Sequence, residues 1–215
     1  SGANSTALEG VPSMDQTGRF YFVSPRDYDA TRNTLWQAQF HQGRMAAVTP
    51  LLGNAPTGRP LWLNIDAEIS ADGATLYFTE NRWRLVGGGV ASSNLLVAYR
   101  DATGAFMRAE NSVSMFAQIN TDKLEFAPAL TTDELTLYFT RVDRDALSAG
   151  VAAGFGIYVA TRAAKGQPFG RPSRIAAISG YVEAPTVAPG ACAIYLHKRV
   201  EQVFQIQRAR KSNCP

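Results

Sequence analysis

The stretch ISADGATLYFTENRW, Ile69 to Trp83, decides the fold, because the chain comes close to writing it four times. MDQTGRFYFVSPRDY (Met14–Tyr28) precedes it; LTTDELTLYFTRVDR (Leu130–Arg144) and VAPGACAIYLHKRVE (Val187–Glu201) follow. Their shared centre is an aromatic or aliphatic triplet around Tyr21, Tyr77, Tyr138 and Tyr195, tyrosines 56, 61 and 57 residues apart. Upstream of each stands an acid, Glu9, Asp66, Glu125 and Glu183, at intervals of 57, 59 and 58. Pro12, Pro128 and Pro185 follow three of those acids. Downstream lie the runs LWQAQF, LLVAYR, IYVATR and VFQIQR, three of which end on arginine.

Each unit reads as three or four short strands rich in Tyr, Phe, Val and Ile, separated by Gly, Asp, Asn and Pro turns. Apolar stretches at Met45–Leu52, Ser112–Ile119 and Pro172–Ile178 are the candidates for a fourth strand. No segment sustains a 3.6-residue period; FMRAENSVSMFAQI (Phe106–Ile119) comes nearest, and its Ser and Val content keeps it from reading as a helix. Regularly spaced sheets of this size imply a propeller, where each blade covers the face its neighbour would otherwise expose. The expectation is an all-β, four-bladed β-propeller built from four repeats of about 57 residues, a single domain over 1–215 with repeats near 8–64, 65–122, 123–180 and 181–215. Repeat four stops after its third strand, so the segment before Leu8 or the tail Arg210–Pro215 must complete the ring.

The residues SADGATLYFTENR and GIYVATRAAKGQPFGRP resemble the WD40-like PD40 repeat of TolB-type propellers, in the secreted or periplasmic bacterial form. The resemblance runs from about Leu8 to Arg208. Repeat one departs from it with DQTGRFYF, and repeat four lacks both the Asp-Gly turn and the PFGxP segment. It implies a fold and a periplasmic or extracellular location, but no single function, since the scaffold serves many binding roles.

Composition narrows the rest. Hydrophobic residues make up 46% and charged residues 18%, which excludes a disordered chain. No apolar run reaches the roughly 18–20 residues of a membrane span. The net charge of +3 comes from 21 basic residues scattered among 18 acidic ones, without the basic stripe that nucleic acid demands. Cys192 and Cys214 fit neither a CxxC motif nor a zinc set; a disulfide tying the tail to repeat four is the expected use, and it points to an oxidising compartment.

Propeller geometry would gather Glu9, Asp66, Glu125 and Glu183 near the axis at one mouth, beside Arg26, Arg82, Arg141 and Arg199. Acid–arginine pairing between blades is the plain expectation; coordination of Ca²⁺ or another cation on the axis is the sharper one. The loops after the second strand in repeats two and three are long and carry Trp83, Leu85, Val86 and Leu147 among glycines, where binding residues concentrate. Catalysis has little to work with. His41 and His197 are the only histidines, and VGGGVAS lacks the lysine of a phosphate loop. Paired carboxylates drawn from Asp66, Glu68, Glu125 and Glu183 leave a glycosidase or lectin as the alternative. The expected function is a non-catalytic binding module for a protein partner, small polar ligand or glycan, monomeric and without nucleic acid, meeting its ligand at Glu9, Asp66, Glu125, Glu183, Arg26, Arg82, Trp83, Arg141 and Arg199. A structural ring around a central metal ion is the third reading.

Overall fold

The computed structural model describes residues 3–55, 59–212 and 214. The chain is all-β and divides into two compact units, Ser1–Val113 and Ser114–Pro215. In the first, strands β1 (Gly10–Met14), β2 (Arg19–Val23), β3 (Leu35–His41) and β4 (Arg44–Pro50) form an antiparallel meander. β5 (Trp62–Ile69), β6 (Thr75–Trp83), β7 (Val90–Arg100) and β8 (Phe106–Arg108) form the next. In the second unit β9 (Leu124–Leu130), β10 (Thr136–Val142), β11 (Phe155–Thr161) and β12 (Ser173–Arg174) repeat the pattern, and β13 (Val182–Val187), β14 (Ala193–Val200) and β15 (Val203–Arg210) make a three-stranded sheet.

Each repeat thus folds as one antiparallel meander, and within each unit the first strand of the later meander packs on strands of the earlier one. The alternation of the triplets explains the packing. Tyr21, Val23, Leu35 and Leu51 on one sheet interlock with Leu76, Phe78, Leu96 and Phe106 on the other, all buried. In the second unit Leu137, Phe139, Phe155, Ile157, Val182 and Leu196 are likewise buried. Removing such residues from water is worth roughly 1.5–3 kcal/mol apiece, enough to make the aromatic repeat the organising signal.

One expectation changes. The stretch Ser112–Ile119 is not a strand: the fourth strand of sheet two is Phe106–Arg108, and Ser112–Met115 forms one helical turn. Its end belongs with sheet three, where Phe116 stacks on Phe169 at 5.9 Å and Phe169 N donates to Met115 O at 3.0 Å. Of the terminal segments considered for the missing strand, residues 1–2, 213 and 215 lie outside the described residues. The expected disulfide is present: Cys192 and Cys214 are bonded, and Lys211 N donates to Cys192 O at 2.9 Å alongside it.

Candidate functional site

Every repeat bends its first strand at the same place. Val11, Asp66, Ala127 and Ala184 all have φ between 50° and 54°, and at each the pairing to the second strand slips. These are β-bulges, which kink and twist a strand at the loss of a ladder bond. Pro12, Pro128 and Pro185 follow three of them directly, where a residue without an N–H is tolerated. Beyond each bulge the tyrosine of the triplet is paired with Ser13, Glu68, Ala129 or Thr186, two residues past the bulge in every case.

This register shows that the four acids are not equivalent. Glu9 and Glu125 stand two residues before their bulges. Asp66 is itself a bulge residue, and Glu183 immediately precedes one. The position that Glu9 and Glu125 occupy is Asn64 in repeat two and Val182 in repeat four. Nor do the arginines correspond: counted from the tyrosine, Arg26 and Arg82 lie at the fifth position, Arg199 at the fourth and Arg141 at the third.

Where the acid holds the shared position, it is clasped by arginine. Arg141 Nε donates to Glu125 Oε1 at 2.7 Å, Thr121 adds its hydroxyl at 2.6 Å and its N–H at 3.1 Å, and the Glu125 carboxylate is fully buried. The Arg141 guanidinium also lies over Tyr158, 4.6 Å from the ring centroid. Glu9 is bound by Arg26 at 2.8 Å, Ser24 Oγ at 3.1 Å and Ser5 Oγ at 2.5 Å. The Ser5 hydroxyl, helped by the Ser5 amide, Ser24 and Arg26, holds the Glu9 carboxyl down to about 2. Arg26 completes the motif by stacking on Phe22 and Trp36.

Repeats two and four break the motif differently. In repeat two Asn64 Nδ2 donates to Ala55 O, while Glu80, across from Asn64, pairs with Arg108 at 2.7 Å. Asp66 is buried. Arg82, exposed, lies over Trp62, on whose ring Arg59 also sits at 4.7 Å. In repeat four Arg199 lies over Tyr181, which stacks on Phe155 with centroids 3.8 Å apart. Glu183 faces His197 across the ladder, half-buried, and its carboxylate makes no hydrogen bond or ion pair among the described residues. Burial pushes this carboxyl up from its ordinary range. Glu68, the further glycosidase candidate, accepts a hydrogen bond from Ser13 Oγ at 2.8 Å and so joins the two sheets of the first unit.

The two long loops separate as well. In repeat two the β6–β7 ladder continues to Trp83, paired with Val90, and Arg84 N donates to Gly89 O to close the tip. Gly87, Gly88 and Gly89 all take positive φ, which this reversal needs and few other residues would accept. The tip presents Leu85 and Val86 at 82% and 84% exposure, with Trp83 at 38%. In repeat three Arg144–Ala149 forms a helix and Ala152–Gly154 a short 3-10 turn that packs on it, Gly154 lying so near Ala146 that a side chain would collide. Leu147 is half-buried there rather than carried into solvent.

The arginines at or just after the ends of the third strands of repeats two and three are fasteners. Arg100 Nε donates to Gly73 O at 2.7 Å and Arg162 Nε to Glu134 O at 2.8 Å, each clamping the Asp-containing turn before the triplet. Each lies over a buried phenylalanine, Phe106 at 4.4 Å and Phe169 at 4.5 Å. Among the described residues no group of three or more His, Cys, Asp or Glu is placed to hold a metal ion, so the axial-cation expectation draws no support from them.

Solved structures with a similar fold include a putative TolB from Agrobacterium tumefaciens, at TM-score 0.53 and 16% identity, covering 96% of this chain and 59% of that one. Another is Zg3597, a family 117 glycoside hydrolase produced by the marine bacterium Zobellia galactanivorans, at 0.55 and 14%, covering 98% and 69%. A third is an exo-1,5-alpha-L-arabinanase from a bovine ruminal metagenomic library, at 0.50 and 15%, covering 99% and 75%. The chain therefore spans less than two thirds of the TolB structure it matches. At these identities the likeness shows the fold, which is of the β-propeller type. No protein-family model matches the sequence, and no curated protein does; the TolB-type resemblance is supported as a fold and not as membership of the PD40 family. No helix is long and apolar enough to cross a membrane among the described residues, and the disulfide is consistent with a chain that folds outside the cytoplasm.

Proposed function

We propose that the chain is a non-catalytic binding module: a four-bladed propeller, one domain with repeats near 8–64, 65–122, 123–180 and 181–215, exported to the periplasm or beyond. Its ligand surface lies at the β6–β7 hairpin, with Arg82 and Trp83 as contacts. One observation carries the reading. The hairpin tip holds Leu85 and Val86 almost wholly in water beside Trp83, whereas in the corresponding loop of repeat three Leu147 is half-buried and Val151 is exposed to 49%. Exposed apolar side chains on a stiff, twisted ladder are costly unless a partner covers them, and binding residues concentrate on such loops. The partner is a protein or a small polar ligand or glycan. A pull-down from a cell-envelope extract and a glycan array, each run with the wild type and with L85S/V86S, test this. Species retained by the wild type and lost by the variant support the reading; species retained equally by both overturn it.

The alternative is a carbohydrate-active protein using axial carboxylates. It is favoured by Glu183, a half-buried carboxyl without an ion pair among the described residues and held upward by desolvation, as a general acid requires. Two of the propellers of similar fold are named as glycosidases. Hydrolysis of an aryl glycoside that E183Q abolishes would establish it.

A further inference from the structure

The last strands of the first three meanders are blunted against further pairing. β4 slips its register, with Ala47 at a φ of 51°, while β8 has three residues and β12 two. Short or bulged outer strands keep a sheet from adding a foreign strand. β15 uses neither device. It runs eight residues without a proline and holds an unbroken register with β14 along its whole length. No further strand lies beyond it among the described residues. The disulfide carries the tail back to Cys192, beside β14, rather than along the outer edge of β15.

Alternate residues of an antiparallel strand turn both backbone groups to the same neighbour. Val200 and Val203 close a two-residue turn, and Lys211 N donates to Cys192 O at 2.9 Å, so the odd-numbered residues of β15 face β14. The N–H and C=O groups of Phe204, Ile206 and Arg208 therefore point outward. Ile206, midway along this edge, is 74% exposed, and Val203 and Phe204 are exposed beside it. An open, straight edge that carries apolar side chains is a template for another strand.

The strand is complementary to itself. Set antiparallel to a second copy about a two-fold axis at Ile206, it brings Ile206 onto its own counterpart, Phe204 onto Arg208 and Glu201 onto Lys211. Arg208 has no side-chain hydrogen bond or ion pair among the described residues, and neither Glu201 nor Lys211 has an ion pair there. Lys211 only approaches the Tyr138 ring, at 5.9 Å. Opposite charges and cation–ring pairs across a ladder are favourable, whereas a parallel copy in register would set Arg208 against Arg208. Shifting the antiparallel register by two residues either carries Lys211 past the turn or moves it from Glu201 to Val203.

We propose that two copies of the chain pair through β15, edge to edge and antiparallel about Ile206, joining their three-stranded sheets into one. About six backbone hydrogen bonds form across the axis. The contact is isologous, so it closes at two chains. A dimer replaces the monomer expected from the sequence, and it uses the second unit alone, whatever the β6–β7 hairpin binds.

Sedimentation equilibrium of the full chain, its disulfide intact, tests this between about 1 μM and 1 mM. The mass should rise from one chain to two and stop there. I206K sets like charges on the axis and should weaken association at least about tenfold. Its melting temperature in dilute solution should be unchanged, because Ile206 is exposed. E201K and K211E should each weaken pairing about threefold or more, and E201K/K211E together should restore it. A single chain at every concentration, the result if the edge serves a different protein's strand, overturns the proposal. So does a dimer that I206K leaves intact, a mass that climbs beyond two chains, or a double variant that pairs no better than the single ones.

Discussion

Repeats one and three seat a carboxylate two residues before the bulge and clasp it with an arginine; repeats two and four keep the bulge and discard the clasp. The recurring part is backbone geometry, and the acid is one way of bracing it. Repeat two braces with Asn64 and moves its ion pair to Glu80 and Arg108. Repeat four has Val182 and Lys198 facing one another at the equivalent pair and leaves Glu183, on the neighbouring position, without an ion partner among the described residues. Carboxylates that repeat are therefore fasteners, whereas one that has slipped out of register is free for other work.

That contrast can be broken most forcefully at Glu125. E125Q leaves Arg141 buried without its counter-charge, and removing one partner of a buried pair typically costs about 3–5 kcal/mol. A fall in the urea midpoint with an unchanged slope is the expected readout; a loss below 1 kcal/mol, roughly the value of a surface pair, would break the contrast. Next in size is the disulfide. Reducing it, or C192S/C214S, should cost about 3 kcal/mol by releasing the tail in the unfolded chain. Calorimetry in the presence and absence of reductant checks this. The Glu9 clasp should show itself through acid. Its folded carboxyl titrates about 2, below the ordinary value of 4.5. The stability it supplies is therefore complete above about 4.5 and lost as pH falls from there toward 2. E9Q should flatten that acid limb and leave the neutral melting temperature nearer the wild type than E125Q does.

The sequence made the sheets legible because triplets such as Leu76-Tyr77-Phe78 alternate between two buried faces, a pattern that only strands satisfy. It also exposed the disulfide, since two cysteines alone fit neither a CxxC motif nor a zinc set. Register was harder to read. The acids recur at 57, 59 and 58 residues and look equivalent, yet the bulge residues recur at 55, 61 and 57, nearly in step with the tyrosines at 56, 61 and 57. Counting from the tyrosine does not separate them either, since Glu9 and Glu183 both precede theirs by 12 residues while Asp66 does so by 11 and Glu125 by 13; only the position of the bulge shows Asp66 and Glu183 out of place. The loops carried a similar signal. Three consecutive glycines permit a tight hairpin, whereas RDALSA in repeat three has the residues of a helical turn closed by Gly150.

The most direct test of the account is the melting of E125Q and E183Q side by side between pH 3 and pH 8. Because burial raises the Glu183 carboxyl, its ionised form is disfavoured in the folded chain, so the native residue costs stability as pH rises through that raised value and costs nothing below the ordinary one. E183Q should accordingly match the wild type in acid and melt higher at neutral pH, while E125Q melts lower there. If both variants melt lower at neutral pH by similar amounts, the two carboxylates are the same kind of fastener, and the distinction between the repeats fails.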